Sequence, residues 1–226
     1  MALSGKAALA MWWDITPEIR DEFRDWHSHE HFRERLRIPG FLRATRWSAV
    51  NGGEGVFQMY EVESYDTLTS DAYLGHLNSP TPWSTRMMPH HRNMVRSQCR
   101  VLESSGAYVA SHLLAIRLSP EQGGDDRLRA SIKTVIDGLT DKPGCVGAHL
   151  LQHETPKIAQ TTEQKIRGGD RFADWVQVVS GYDVKALEAM ATGELSADSL
   201  VSIGAQPGAI AGIYELSYSA TPSDIR

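Results

Sequence analysis

The sequence of 226 residues has only two cysteines, no long hydrophobic run and no excess of basic residues. Cys99 and Cys145 lack the spacing of a metal site, so we expect free thiols. The longest apolar stretch, residues 7–13, is far shorter than the ~20 residues that cross a bilayer, and the N-terminus lacks the build of a signal peptide. The net charge of −5, with Lys and Arg scattered among Asp and Glu, argues against nucleic acid. We therefore expect a cytoplasmic protein without nucleic-acid or membrane partners.

Motifs of nucleotide-driven and serine-nucleophile enzymes are also missing. The sequence has no P-loop and no GxSxG motif, and Gly52-Gly53 follows a predicted strand but opens no helix. With 41% hydrophobic and 23% charged residues, the composition is that of a globular protein with a sizeable core. A nucleotide-driven or serine-nucleophile mechanism would need residues that this sequence does not contain.

The sequence repeats its turn and helix-start residues at about half its length. Pro17-Glu18 is echoed by Pro120-Glu121 at an offset of 103, and Pro39-Gly40 by Pro143-Gly144 at an offset of 104. A later pair of Tyr-Asp dipeptides is 117 residues apart, so the second half has gained about 13 residues. We assign this excess to residues 155–172, a polar stretch that reads as a long loop.

Each half reads as strand, helix, strand, strand, helix, strand. Thr16 and Pro17 are typical of a helix start, and Asn51-Gly52-Gly53 is typical of a hairpin turn. The predicted strands are residues 7–15, 41–50, 55–64, 95–104, 108–118, 145–153, 173–181 and 209–219; the predicted helices are residues 17–38, 67–78, 124–139 and 184–192. The pattern predicts an α+β protein, a tandem duplication with a boundary between residues 105 and 106. Two ferredoxin-like βαββαβ halves, 1–105 and 106–226, would pack their antiparallel sheets into one intramolecular α+β barrel.

Three segments carry a resemblance to a known family: Trp26 to His31, Ile38-Pro39-Gly40-Phe41, and Arg46-Trp47. In their order they resemble the EthD-like branch of the dimeric α+β barrel superfamily, over most of residues 7–104. The second half is similar only in architecture, and three histidines within five positions depart from the usual EthD-like motif. The resemblance implies a small-molecule role, because relatives include isomerases, polyketide cyclases, cofactor-free monooxygenases and haem-dependent enzymes.

The first predicted helix carries the main catalytic candidates. At about 100° per residue, Phe23 and Trp26 lie on its buried stripe and Glu30 falls near the centre of that stripe. Burial would raise the pKa of Glu30, and a nearby His27 could share its proton, which suits general acid–base chemistry. The alternative is that the helix rolls and Glu30 forms a structural ion pair with an arginine.

A metal site is a further alternative for the same helix. His27 and His31 have the i, i+4 spacing of a helical metal pair, and His76, His90 or Glu30 would supply a third ligand. Because such spacing is common by chance, we assign no metal ligand in the leading interpretation.

Residues 78–94 contain proline, methionine, tryptophan and histidine in a pattern too broken for a helix and too apolar for an ordinary surface loop. Methionine and tryptophan often line hydrophobic ligand sites. We expect this segment to fold over a ligand, with His90 or His76 polarising a carbonyl group; the alternative is that it only seals the end of the barrel.

Strand alternation limits the remaining candidates, since Arg46 and Trp47 face opposite ways, as do Tyr60 and Glu61. The predicted catalytic residues are His27, Glu30, His31, His76 and His90. The predicted substrate-binding residues are Trp26, Arg46, Trp47, Tyr60, Tyr73, Trp83, Met87 and His91.

These residues predict a cofactor-independent enzyme that performs an isomerisation, cyclisation, dehydration or lyase step on an aromatic or polyketide-like compound. A haem- or metal-dependent enzyme and a non-catalytic binding or assembly module are the alternatives. Exposed sheet edges would also permit a homodimer.

Overall fold

Eight antiparallel strands form a closed barrel in the order β1-β3-β2-β8-β5-β7-β6-β4. The computed structural model describes residues 3–50, 53–139 and 141–225. The strands are β1 (Ala7–Asp14), β2 (Phe41–Ala49), β3 (Gly55–Val62), β4 (Arg92–Gly106), β5 (His112–Leu118), β6 (Cys145–His153), β7 (Trp175–Gly181) and β8 (Ile210–Ala220). The predicted turn at Asn51-Gly52 lies outside the described residues.

Both halves of the barrel have the same strand order. The first half runs β4-β1-β3-β2 and the second β8-β5-β7-β6, which is the ferredoxin-like arrangement. Pairing of β2 with β8 and of β4 with β6 joins the two sheets. The predicted fold class is confirmed, whereas the boundary between residues 105 and 106 and the origin by duplication stay predictions.

Closure of the barrel corrects one prediction. Within the part of the chain that the structure describes, each strand of the barrel has a neighbour on both sides. Exposed sheet edges were the reason to expect a homodimer, and a closed barrel has no such edges. A homodimer would need other surfaces.

The helices cover the outside of the barrel. They are α1 (Arg20–Trp26), α2 (Phe32–Leu36), α3 (Asp71–Asn78), α4 (Pro82–Met87), α5 (Asp125–Leu139), α6 (Thr162–Ile166), α7 (Val184–Thr192) and α8 (Ala197–Ser202). Short 3₁₀ turns lie at Pro17–Ile19, Tyr65–Thr69, Met88–His90 and Pro222–Asp224. None of the helices in the described ranges is long and apolar enough to cross a membrane.

Two segments predicted to lack helix contain short helices. Residues 78–94 include α4, which begins at Pro82 with Thr81 as its N-cap, because proline is favoured in the first turn. Residues 155–172 include α6, whose N-cap Thr161 forms a capping box with Gln164. α8 was not predicted either.

Two strands of the first half, β1 and β3, are buried on both faces. Leu9, Met11 and Trp13 of β1 face the helices, while the alternate residues Ala8 and Trp12 face the barrel interior. Burial on both faces explains why the strand sequence is continuously apolar. The outer face, with its helices, holds the site.

Candidate functional site

A π turn interrupts the first helix and changes which residues point inward. His27–His31 form this turn between α1 and α2, and the amide of Phe32 donates to the carbonyl of His27, five residues back. One extra residue in the turn places His31, rather than Glu30, beneath the helix. The predicted burial of Glu30 is therefore wrong, because the α-helical period does not hold across the turn. His27 and His31 are both buried.

Glu30 instead links the first helix to α4 through hydrogen bonds. Its carboxylate accepts hydrogen bonds from Thr81 Oγ1 at 2.6 Å and from Ser84 Oγ at 3.4 Å. Ser84 Oγ in turn accepts from Trp26 Nε1 at 3.2 Å. Glu30 is partly exposed and does not line the cavity described next.

A small cavity lies between the outer face of the first sheet and its helices, with about 30 Å³ of free space. That is room for about two water molecules. Its floor comes from β1, β3 and β4, where Met11 pairs with Gln58 on one side and Arg96 on the other. Tyr60 and Trp13 complete the floor, and Trp26, His27, His31, Arg35, Tyr73 and His91 form the walls.

The second half of the chain closes this cavity. We call residues 155–172 the lid; Glu163 and Arg167 of the lid line the cavity. Arg35 of α2 donates to Glu163, and both side chains are almost fully buried. Arg167 lies 3.5 Å from Glu163 and forms a two-point pair with Asp170. The stretch predicted as a long loop thus contributes side chains to the site of the first half.

His27 presents an N–H group to the cavity. Arg46 Nη1 lies 3.3 Å from His27 Nδ1, and a guanidinium can only donate, so Nδ1 is the acceptor. Burial, with the positive charge of Arg46 adding to it, holds the pKa of His27 well below its usual range, so the ring is neutral. The proton is then assigned to Nε2, a buried atom that makes no hydrogen bond of full geometry among the described residues, although the Gln58 side chain interacts with the ring.

His91 has the opposite arrangement. Its Nδ1 lies 3.1 Å from the carbonyl oxygen of Met88, which can only accept, so Nδ1 carries the proton. Burial lowers the pKa of His91 to about 3, with the charge of Arg167 contributing. Nε2 of a neutral His91 therefore has a free lone pair. Rings of His27 and His91 both contact Trp13, at centroid distances of 5.8 and 5.0 Å.

Other buried polar atoms of the cavity make no hydrogen bond of full geometry within the described ranges. They are Trp13 Nε1, His31 Nδ1, the side-chain amide of Gln58 and the hydroxyl of Tyr60. The Gln58 amide lies close enough to interact with Tyr60 and His27. Burial lowers the pKa of His31 and raises that of Tyr60, so both are neutral. Because buried polar groups without hydrogen bonds destabilise a protein, such a concentration indicates a place for a ligand or water.

The buried neutral histidines predict a loss of stability in acid. The pKa of His91 is about 3 in the folded chain and about 6.5 when unfolded, so the unfolded chain binds the extra proton between these values. The free energy of unfolding should be highest above about pH 6.5 and fall by up to about 1.4 kcal/mol per pH unit per such histidine. Urea unfolding at a series of pH values measures this; a free energy independent of pH between 4 and 7 would contradict it.

Several predicted site residues lie elsewhere. His76 and His90 are exposed, so neither is placed to polarise a carbonyl group in the cavity. Trp47 faces the barrel interior, where its Nε1 donates to Tyr108 at 3.3 Å. Trp83 donates to Glu22 at the surface. Four other predicted residues, Trp26, His31, Tyr60 and Tyr73, do line the cavity together with His27 and His91.

The remaining two predicted residues support the cavity from outside. Arg46 contacts Nδ1 of His27, and Met87 is packed in the apolar core. Sequence reasoning did not single out Trp13, Gln58, Arg96 or Glu163. Gln58 could have been predicted, because side chains alternate along a strand and Gln58 therefore lies on the same face as Tyr60.

The described residues do not supply a ligand set for the alternative metal site. None of the predicted third ligands, His76, His90 and Glu30, lines the cavity together with His27 and His31. In the described parts of the chain, no group of three or more His, Cys, Asp or Glu side chains is arranged to hold a metal ion. Cys99 and Cys145 are free and buried.

The equivalent region of the second half differs in character. Gln177 of β7 pairs with Ile116 and Leu150, as Gln58 of β3 pairs with Met11 and Arg46. Its buried amide has no partner among the described residues. The helix α5 that covers this half turns the apolar side chains of Leu128, Ile132 and Ile136 inward, and these belong to the same core as Ile116 and Leu150.

Comparison with known proteins supports the fold. No protein family profile and no curated protein matches the sequence. Solved structures do match: an anthrone oxidase-like protein (TM-score 0.67, 12% identity, covering 98% of this chain and 96% of that one) and a protein from Fusobacterium nucleatum assigned as a monooxygenase (TM-score 0.62, 8% identity, 96% and 95%). A haem-binding protein from Thermus thermophilus also matches (TM-score 0.53, 11% identity, 96% and 93%). The chain therefore has the fold of the ferredoxin-like dimeric α+β barrel proteins, with all eight strands of the barrel in one polypeptide.

Proposed function

We propose that this protein is an enzyme that removes a proton from a small, largely aromatic molecule without a cofactor and holds the resulting anion. The observation that carries the proposal is the pairing of two neutral imidazoles in one aromatic cavity. His91 offers a lone pair, and His27 offers an N–H group. This combination suits transfer of a proton away from a carbon or hydroxyl group beside a carbonyl.

His91 Nε2 is the proton acceptor in this proposal. Its low pKa makes the isolated ring a weak base. An anion formed next to the ring would stabilise the imidazolium, because an opposite charge within a few ångströms favours the charged form. Proton transfer and anion binding therefore support each other.

His27 Nε2–H donates a hydrogen bond to the oxygen on which negative charge develops. Arg46 fixes the tautomer and its charge opposes protonation of the ring, so the N–H group remains a neutral donor. A fixed donor aimed at a developing oxyanion typically contributes a factor of about 10²–10³ to the rate.

The aromatic walls determine the class of substrate. Trp13, Trp26 and Tyr60 line the cavity, and stacked or edge-on contacts with such rings favour flat aromatic molecules. Because the closed cavity holds only about two waters, the lid must move before a ring system can bind. The proposed substrate is thus an aromatic or polyketide-like ketone or phenol.

Two fates of the anion are open to the same site. Reprotonation or loss of a leaving group would give the isomerase, cyclase, dehydratase or lyase reaction expected from the sequence. Reaction with dioxygen, as the co-substrate, would give an oxygenase or oxidase. Similarity to an anthrone oxidase-like protein and to an assigned monooxygenase supports the second fate.

Exchange of substrate hydrogen for deuterium tests the shared first step. The purified chain is incubated in D₂O with anthrone, aromatic ketones and phenols, and NMR follows loss of the acidic hydrogen, while an oxygen electrode records uptake of dioxygen. We expect enzyme-dependent exchange for at least one compound, with oxygen uptake if dioxygen is the co-substrate. Exchange no faster than in buffer across the panel would contradict the proposal.

Haem-dependent chemistry is the second candidate, favoured by one observation. Metal-bound histidines commonly donate their other ring N–H to a carbonyl group, as His91 does to Met88. The cavity does not fit a haem, since ligand pockets of about 300–1,000 Å³ are usual and this one has about 30 Å³. We expect the purified protein to be colourless, without a Soret band or stoichiometric metal; a Soret band that disappears in a His91→Ala variant would favour haem.

A binding or assembly module is the remaining alternative. It predicts that aromatic compounds raise the unfolding temperature although no compound undergoes hydrogen exchange. In the proposal the only partner required is the small-molecule substrate. A cytoplasmic location and a homodimer formed through surfaces other than strand edges remain predictions.

A further inference from the structure

A second recess adjoins the cavity on the far side of Arg96. It has a volume of about 250 Å³ and lies between β4, β6 and the lid. We call this recess the vestibule; its walls include Gln98, His153, Asp170 and Phe172. Arg96 lines both the cavity and the vestibule, so its side chain lies between them; we call this position the passage.

The charges around the passage do not cancel. Arg35 and Arg167 are paired with the carboxylates of Glu163 and Asp170, two positive charges against two negative ones. Arg96 is buried, yet no carboxylate oxygen of the described residues lies within 4.0 Å of its guanidinium. The cavity histidines are neutral. Arg96 is therefore without a direct carboxylate partner, and Arg171, which also lines the vestibule, adds further positive charge.

The hydrogen bonds of Arg96 leave it available to an anion. Its Nη2 donates to the hydroxyl of Tyr73 at 2.8 Å. With the amide of Gln98 turned so that its oxygen faces the guanidinium, that oxygen accepts at 3.1–3.2 Å. Both partners are neutral, and a buried guanidinium binds a carboxylate or phenolate more strongly than a neutral oxygen.

We propose that Arg96 binds the anionic group of the substrate, and that the substrate is an anionic aromatic compound such as an aromatic carboxylate. This inference rests on the proposed function and names its substrate class. The ligand extends from the vestibule, through the passage, towards His27 and His91. A negative group on the ligand would give the buried guanidinium of Arg96 the charged partner that it lacks, since an unpaired buried charge is costly.

The vestibule suits the part of the aromatic system that the inner cavity cannot hold. The rings of His153 and Phe172 are stacked at a centroid distance of 4.5 Å, and Phe172 is more than half exposed although it is large and apolar. A flat ring system that covers Phe172 would remove this apolar surface from water. Together the vestibule and the passage hold more than the small inner cavity can.

Binding of two matched probes tests the inference. Calorimetry with the full chain compares 2-naphthoate with 2-naphthamide, which has nearly the same shape but no charge. We expect naphthoate to bind at least tenfold more tightly. Arg96→Gln should weaken naphthoate binding about 10- to 100-fold and leave naphthamide binding unchanged, because one charge-assisted hydrogen bond is lost. Arg96→Lys should restore part of the affinity.

Arg100→Gln is the control, because Arg100 lies on the same strand but is exposed and paired with Glu154. It should bind naphthoate like the parent chain. Equal affinity for both probes, no binding of naphthoate at millimolar concentration, or unchanged binding by a folded Arg96→Gln variant would each overturn the role of Arg96. Deuterium exchange without naphthoate selectivity would leave the proposed function standing, whereas selectivity without exchange on any compound would contradict the proposed function alone.

Discussion

Replacement of His91 by asparagine is expected to slow proton abstraction by a factor of about 10²–10⁴, the usual contribution of a general base. Asparagine retains an N–H group that can donate to Met88 O, as His91 Nδ1 does, but it lacks the lone pair of Nε2. Loss of activity with an intact fold would therefore show that proton abstraction needs the basic lone pair of Nε2. The measurement is the rate of deuterium exchange, together with circular dichroism of the variant.

The neighbouring residue supplies the control for this experiment. His90 is exposed and does not line the cavity, so His90→Asn should exchange at the parent rate. Glu30→Gln should also retain exchange, since Glu30 contacts Thr81 and Ser84 rather than the cavity. If His91→Asn exchanged at the parent rate, the assignment of the base would be wrong.

Replacement of Glu163 by glutamine should have the largest effect on stability. Arg35 and Glu163 are 2% and 3% exposed, so removal of the carboxylate leaves a buried guanidinium without its charged partner. Breaking a buried ion pair in this way typically costs about 3–5 kcal/mol. Arg167 loses its pair with Glu163 but keeps its pair with Asp170, so the main loss is at the contact between α2 and the lid.

The free energy of global unfolding should decrease by less than this loss, because the lid can detach while the barrel stays folded. If the lid swings away, Arg35 reaches water and the rest of the barrel remains folded. We therefore expect faster amide hydrogen exchange and faster proteolysis within residues 155–172, with a smaller decrease in the free energy of unfolding. Glu194→Gln, which removes an exposed pair with Lys142, should change stability by less than about 1 kcal/mol. Equal protection of the lid in Glu163→Gln and the parent chain would show that the ion pair does not hold it.

The order of the eight strands and of the two helical segments in each half was predictable because it depends on local patterns, whereas the short helices α4, α6 and α8 were missed. Residues 145–153 and 184–192 match Cys145–His153 and Val184–Thr192, where apolar runs end at glycine or at polar caps. Burial of α5 followed from its period of 3.6, with Leu128, Ile132 and Ile136 on one face. The same reasoning predicted one barrel from two sheets that would each leave a face bare.

The site was only partly predictable, for a specific physical reason. The helical period assigned Glu30 to the interior, but the π turn moved His31 there, and no local pattern announces an extra residue in a turn. The charged partner of Arg35, Glu163, is 128 residues away along the chain, in the lid. The roles of His27 and His91 depend on which ring nitrogen faces Arg46 or Met88, and that requires coordinates.

Coverage of the first-half cavity by a segment of the second half has a consequence for stoichiometry. The sheet of the second half carries Gln177 where the first carries Gln58, but its neighbours are aliphatic and its covering helix has no histidine. A symmetric assembly of two identical subunits would build every feature twice. Here the covering segment and the covered cavity are each present once, so titration should saturate at one ligand per polypeptide, along a simple hyperbola without cooperativity.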